Sequence, residues 1–587
     1  MNRTNLAAGL IILAAGLMYS LNIKANQIGH LNDDAYYINA ARWFAGVQAE
    51  QKELSSRSLG FSFLLVPAAC IAGDSLLPFR ITSLIFTLAS LWLVYLIFRK
   101  RAPPAVCFSV LLLTAFNHMN LIFSTMVMSE EAYLFFSLLA VWVFIRRENK
   151  GFSYGEAFFQ ALTLAALSYI RPEGFLLAFT VFTSLLAARR LRNALYSIFF
   201  FLLLVLPLVT NSFGIGSNLN KYMNELLFPM LYAGLPTVIK ANFIYFLKEI
   251  PATAFFTEVI RSRMGIFEIS ASFLFTAVIF SGMYISVRGA GQKMSFRSTP
   301  SMMNFLMALY LILYTAFHVI WPAKGARFII PLLPFIYYFF FSALMRWIPA
   351  VIPGKSGRKV IGVLTALILM IFAYQNYLIF ITPPRTLFPE TFAYVKTGSV
   401  PDDIFVSESS ERFFLKTGIK AISPSAYLTA DDFYYSLITA GVTRAAFGRL
   451  PRLSTEYGEF PTPSASGIKR YAFYLENSAR FEKEYENKNE GTAVYRLKKT
   501  FADGFKKAYD IMIPALNDIK EGRLAEGEKK LKKTLEICPL LTKAADNLLL
   551  IYIDSGRLDK ANELLKKTEK SGAASHLTLF LAGELCE

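Results

Sequence analysis

The chain has 587 residues, 55% of them hydrophobic, with a mean hydropathy of +0.42 and a net charge of +18. So apolar a composition excludes an ordinary soluble protein: charge-free runs of about 20 residues recur through residue 381, with about 200 polar residues behind them. The positive charge does not point to nucleic acid, because much of it lies in short loops between apolar runs, where it fixes membrane orientation.

In chain order, eleven spans are expected at residues 5–23, 78–98, 104–123, 128–146, 153–170, 173–188, 194–213, 266–288, 302–321, 328–346 and 359–381. No small-residue cleavage site follows the first, which reads as an uncleaved anchor. Basic clusters at Arg99-Lys100-Arg101, Arg146-Arg147, Arg189-Arg190, 288–297 and 346–359 fall in alternate loops. The positive-inside rule makes those loops and the N-terminus cytoplasmic and leaves the C-terminal region outside. Residues 59–72 are apolar but short for a span. Were they to cross, every later basic loop would face outward, so an amphipathic or re-entrant segment is expected there.

On this count the ionisable motifs share the outer face. Asp33 and Asp34 follow the first span, Glu130 and Glu131 open the fourth, Arg171 and Glu173 lie between the fifth and sixth, and Lys324 and Arg327 precede the tenth. A long outer loop is expected at 214–265. The middles of the spans carry almost no acids or bases, which argues against a coupled transporter.

One aspartate of the Asp33–Asp34 pair suffices to cap a helix, which leaves the other as a base or metal ligand. Glu130 suits a helix N-terminus by charge alone. Arg171 reads as a topology anchor, and Lys324 and Arg327 as head-group contacts, unless they fork onto a phosphate as its charge develops. The four histidines, His30, His118, His318 and His576, show no metal-ligand spacing, and His30, just before Asp33, is the one to watch. Cys70, Cys107, Cys538 and Cys586 are too scattered for a disulfide framework or metal cluster.

These motifs, in this order, resemble the GT-C glycosyltransferases, the polytopic class that includes protein O-mannosyltransferases and lipid A aminoarabinose transferases. The resemblance covers residues 1–420. It is carried by Asp33, Asp34 and Tyr37; by a juxtamembrane segment at 57–73, with Pro78-Phe79-Arg80 opening the second span; by Glu130; by Arg171 and Gly174; and by Arg327, Phe328, Pro331 and Pro334. It implies a polyprenyl-phosphate sugar donor, a lipid, glycan or protein acceptor, inversion, and a general base from the first loop, Asp33 first, with Asp34 and Glu130 beside it. Arg57, Arg171, Lys324 and Arg327 would hold the donor phosphate. A divalent cation on Asp33 or Asp34 is the one cofactor it admits. Some relatives carry a further acid where this chain reads Leu54-Ser55-Ser56-Arg57. The implied location is a bacterial inner membrane with the C-terminal domains extracytoplasmic.

Behind a membrane domain at 1–385, short alternating stretches such as Ile404-Phe405-Val406-Ser407 and Tyr471-Ala472-Phe473-Tyr474-Leu475 predict a small α/β domain at 386–500. Residues 501–587 repeat at the tetratricopeptide period of about 34 residues. Gly522-Arg523-Leu524 recurs as Gly556-Arg557-Leu558, and Leu531-Lys532-Lys533-Thr534 as Leu565-Lys566-Lys567-Thr568. Gly527 stands where alanine is usual. Such helices serve either to bind a peptide or protein partner or to pack on the preceding domain. Two rivals to a glycosyltransferase stay open: a non-catalytic membrane scaffold or lipid-handling protein, and a glycan polymerase or ligase using lipid diphosphates.

Overall fold

Large apolar residues face outward along the helices of the first compact unit, residues 1–387. Leu6, Leu10, Leu13, Leu17 and Leu21 form an exposed stripe on the first helix, and Leu195, Phe199, Leu202 and Leu206 form another on a later one. Such stripes suit lipid and not water. The computed structural model describes residues 3–24, 33–48, 58–147, 153–209, 234–257, 264–265, 267–288, 299–321, 324–351, 356–381, 388–407, 410–423, 430–448, 475–476 and 480–571.

Helices lie at all the expected span positions. Among the described residues seven are long and apolar enough to cross a membrane: Arg3–Leu21, Leu77–Phe98, Leu191–Leu208, Phe267–Arg288, Met302–Ile320, Ala326–Ala350 and Lys359–Ile381. Of the other four, Pro104–Phe116 and Gly174–Ala187 are shorter, Tyr154–Ile170 has 17 residues, and Ser129–Arg147 carries charge at both ends. Segment 59–72 forms two short helices, Gly60–Leu64 and Val66–Ala72. A Cβ on Gly60 would collide with the Tyr169 backbone, and Ser58 donates to the Tyr169 carbonyl, so this segment is seated against the end of Tyr154–Ile170.

Three departures from the sequence reading have local causes. The span expected at 104–123 breaks at Asn117, whose side chain accepts from Met119 N at 2.9 Å and restarts a helix at His118–Phe123. Backbone groups freed by a break must find partners inside a membrane bundle. Here Asn120 donates to the Thr114 carbonyl, Tyr19 to that of Ala115, Asn376 to that of Phe116 and Asn22 to that of Leu121. Next, Pro331 lacks an N–H, and residues Ala326–Leu332 form a 3₁₀ segment before the α-helix Leu333–Val351. Finally, the loop expected at 214–265 contains the helix Leu235–Pro251, followed by a π-helical turn Ala252–Phe256. Asn242 ties that helix to the Val319 and Trp321 carbonyls at 3.1 and 2.7 Å.

The second unit comprises residues 388–451 and 462–587. Its mixed sheet is built from β1 (Phe405–Ser407), β2 (Ala421–Ile422), β3 (Arg444–Gly448), β4 (Phe481–Asn487) and β5 (Thr492–Leu497), in the order β2-β1-β3-β5-β4. β1 is parallel to β2 and β3, whereas β5 is antiparallel to β3 and β4. Of the stretch 471–475, only Leu475 is among the described residues.

Four helices follow: Lys499–Lys520, Leu524–Ile537, Thr542–Asp554 and Leu558–Ser571. The 34-residue period recurs in their turns. Gly522 N donates to Ile519 O and Arg523 N to Asp518 O; Gly556 N donates to Ile553 O and Arg557 N to Tyr552 O. Both glycines have positive φ, the usual helix-ending conformation. Gly527 also has a reason: a Cβ there would lie 2.5 Å from Ile519 Cγ1 and 3.2 Å from the Ala515 carbonyl oxygen. Sheet residues Val406, Tyr495 and Leu497 share one core with Phe505, Leu531 and Leu548, so the core is continuous across residue 500.

Candidate functional site

Every site residue in the first unit stands at a helix end. Asp33 opens the buried helix Asp33–Phe44, and Ser129 and Glu130 open Ser129–Arg147. Arg171 ends Tyr154–Ile170, and Glu173 precedes Gly174–Ala187. His318 lies in the last turn of Thr299–Ile320, and Arg327 in the 3₁₀ segment. The turn that carries Arg171 is set by Gly174, where a Cβ would meet Ser168 N at 2.5 Å and Leu167 C at 2.6 Å.

The fold joins these ends into one chain of contacts. Asp33 Oδ2 faces Arg327 Nη1 at 3.4 Å and Nη2 at 3.3 Å. Arg327 Nε lies 3.6 Å from Glu130 Oε1, and Arg171 Nη1 donates to that same oxygen at 2.9 Å. Arg171 Nη2 donates to Glu173 Oε1 at 3.1 Å, and His318 Nε2 is 3.7 Å beyond it. Tyr37 donates to Ser129 Oγ at 3.3 Å, which lies 3.5 Å from Arg171 Nη1.

Phe328 is the apolar floor. Its ring lies under Arg171 at 5.4 Å and Arg327 at 5.2 Å and stacks on His318 at 4.7 Å. Burial works against the Arg171 charge, and Glu173 and Glu130 more than restore it, holding the guanidinium above its ordinary pKa. Glu130 is 1% exposed and its Oε2 has no hydrogen-bond partner among the described residues, which leaves it capacity for a bound hydroxyl or water. Breaking a buried charge pair is costly, so the arrangement is tightly determined.

The structure brings Asp33, Glu130, Arg171 and Arg327 together across 294 residues of sequence. Asp34 turns elsewhere: it is fully buried, accepts from the Ala35 amide at 2.8 Å and faces the charge of Arg80. Lys324 stands over the Tyr245 ring at 5.9 Å, apart from these ion pairs. Arg57 and His30 lie outside the described residues. Glu173 and His318 are the members that sequence reasoning left without a role. Glu173 was readable from its spacing to Arg171; a lone histidine in an apolar helix gave no signal.

Among the described residues no three of His, Cys, Asp and Glu converge to hold a metal ion. Asp33 Oδ2 and Glu130 Oε1 face guanidiniums instead, which already supply the positive charge that a divalent cation would bring.

The chain shares the fold of a solved membrane enzyme, ArnT, and among its described residues seven helices are long and apolar enough to cross a membrane, which makes it an integral, multi-pass membrane protein. It is similar to ArnT from Cupriavidus metallidurans bound to undecaprenyl phosphate, with a TM-score of 0.54 and 12% identity over 84% of this chain and 98% of that one. The apo state of that protein gives a TM-score of 0.52 at 11% identity over the same shares. At such identity the likeness is one of fold. No family model and no curated protein matches the sequence.

Proposed function

We propose that this chain is a membrane glycosyltransferase that moves a sugar from a polyprenyl-phosphate donor to a lipid, glycan or protein acceptor on the non-cytoplasmic face. The observation that carries this reading is the buried chain of contacts from Asp33 through Arg327, Glu130 and Arg171 in a GT-C fold. Asp33 takes the proton of the acceptor hydroxyl as its oxygen bonds to the anomeric carbon from the face opposite the phosphate. The carbon–oxygen bond to phosphate breaks, and the electron pair leaves with the phosphate, whose charge Arg171 and Arg327 stabilise. Inversion follows from that geometry.

Asp33 is favoured as base over Asp34 because Asp34 is committed to a helix amide. Glu130 orients both arginines. Lys324 and Arg57 are phosphate contacts only if donor binding draws them in. The helical repeats share a core with the sheet, which supports a packing role for them.

Membranes containing the protein should transfer labelled sugar from polyprenyl phosphate to an envelope acceptor, and membranes from a deletion strain should not. Arg171→Ala or Arg327→Ala should abolish transfer, with partial return on lysine, which keeps charge but loses the fork. Arg189→Gly removes an exposed charge at a position of left-handed backbone and should leave transfer intact. Equal damage from all three would remove the basis for a donor site. Reporter fusions after residue 400 should be active only outside the cytoplasm.

A further inference from the structure

For a place that binds phosphate, the site sets carboxylates unusually close to its arginines. Among the described residues Asp33, Glu130 and Glu173 face the guanidiniums of Arg171 and Arg327. Asp33 has a task as base, and Glu130 bridges both arginines. Glu173 touches Arg171 alone among them.

Its position makes that contact informative. Glu173 precedes the helix Gly174–Ala187, and its side chain makes no capping bond to that helix. It is 6% exposed and turned to Arg171 Nη2 at 3.1 Å, while Glu130 holds Nη1 at 2.9 Å. The guanidinium is therefore taken at both of its ends. His318, 1% exposed and stacked on Phe328, stands 3.7 Å behind the same Glu173 oxygen and walls it in. A lipid phosphate reaching Arg171 must compete with this carboxylate.

Such competition has a chemical use. The donor is a phosphodiester with one negative charge, whereas the released lipid phosphate is a monoester with up to two. A carboxylate beside Arg171 opposes the dianionic product more than the monoanionic donor, and Glu173 is the one such carboxylate with no part in the transfer itself. We propose that Glu173 is a positioning residue that takes one end of Arg171 and weakens the site's hold on lipid phosphate, so that product leaves and donor can enter. This rests on the polyprenyl-phosphate reading above and adds to it the residue that sets donor–product exchange.

The test is binding of undecaprenyl phosphate to the full-length protein in detergent or nanodiscs, compared among wild type, Glu173→Gln, Glu173→Ser and Arg171→Ala. Serine is a favoured residue before a helix, so the second variant removes the charge while supporting the fold. A unit charge a few ångströms from the phosphate at the effective dielectric of a partly buried site is worth about a factor of ten in affinity after screening. Both Glu173 variants should therefore bind about tenfold more tightly than wild type, and Arg171→Ala at least tenfold more weakly. A purely structural role would not tighten binding. Unchanged or weaker binding in the folded Glu173 variants, with Arg171→Ala still impaired, overturns the inference and leaves the donor site standing. Failure of both Glu173 variants to fold also overturns it, because Glu173 is then a structural clamp. If wild type itself does not bind the lipid, or Arg171→Ala binds like wild type, the lipid-phosphate reading falls first.

Discussion

Both units use carboxylates in or beside helices, but the partners of those carboxylates differ. In the second unit Asp431 serves the backbone of a distant helix, and Glu528 a local ion-pair network. Asp431 Oδ2 accepts from Thr542 Oγ1 at 2.7 Å and Lys543 N at 2.6 Å, capping the helix Thr542–Asp554 from a distant element. Glu528 receives two forked bonds from Arg557 at 3.0 and 2.8 Å. In the membrane unit Glu130 and Glu173 are bonded to arginines, in a chain of contacts that ends on Asp33. Identical residue types at similar positions thus serve stability in one unit and leave capacity for a ligand in the other. The difference lies in whether the arginines that hold the carboxylates are gathered into one buried cluster that a phosphate could also engage.

The largest effect that would break this comparison is at Asp33. Removing a general base costs about a hundredfold to ten-thousandfold in rate. Asp33→Asn should reduce transfer by that order with near-normal membrane insertion, as read by labelled-sugar incorporation at matched protein levels. Near-normal turnover would shift the role to Asp34, and near-normal turnover in both variants would end the mechanism. Next comes Gly174→Ala. The new Cβ meets backbone atoms of Leu167 and Ser168, which cannot rotate away, so the turn holding Arg171 and Glu173 must open. Overpacking of this kind costs about 1–3 kcal/mol. Transfer should fall several-fold, whereas Gly362→Ala, which meets nothing within 4 Å, should leave it unchanged.

How far the sequence foretells this comparison depends on which force places each residue. Apolar run length places the helices, and the common end on which Asp33, Glu130, Arg171 and Arg327 fall is readable because hydrocarbon repels their charges. Their mutual contacts are not readable, since nothing local says that Arg327 meets Asp33 and not Asp34. Helix Leu235–Pro251 was hidden because Lys240, Lys248 and Glu249 interrupt its apolar residues. The break at Asn117 was hidden because it falls inside an otherwise apolar run, and part of its compensation comes from Asn22 and Asn376, far away in sequence. In the second unit the 34-residue repeat was legible from Gly522 and Gly556. The trans-capping Asp431 was not, because such a contact is tertiary.

Asp431→Ala sharpens the structural side of the comparison. It strips the helix Thr542–Asp554 of a buried cap, a loss of about 1–2 kcal/mol. Thermal unfolding of the full-length protein should show the second unit melting several degrees lower, with transfer per folded molecule preserved. A matching loss of transfer at unchanged stability would give the second unit a direct part in the chemistry.

The smallest effect is the pH response of the Glu528–Arg557 pair. The forked bonds from Arg557 hold the Glu528 carboxyl down to about 2, below the ordinary glutamate value that it regains on unfolding. A depressed acid stabilises the fold above its unfolded pKa and loses that contribution as pH falls through the folded one. The pair should therefore support the helical repeats fully above about pH 5 and progressively less from there down to about pH 2. Arg557→Gln should lower stability slightly at neutral pH and flatten this part of the acid transition, measured by unfolding at a series of pH values. Because the bond joins two helices and touches no site residue, transfer at neutral pH should not change. If transfer falls with Arg557→Gln while the unfolding curve stays put, the distinction between carboxylates claimed for stability and those left for a ligand would fail at its weakest member.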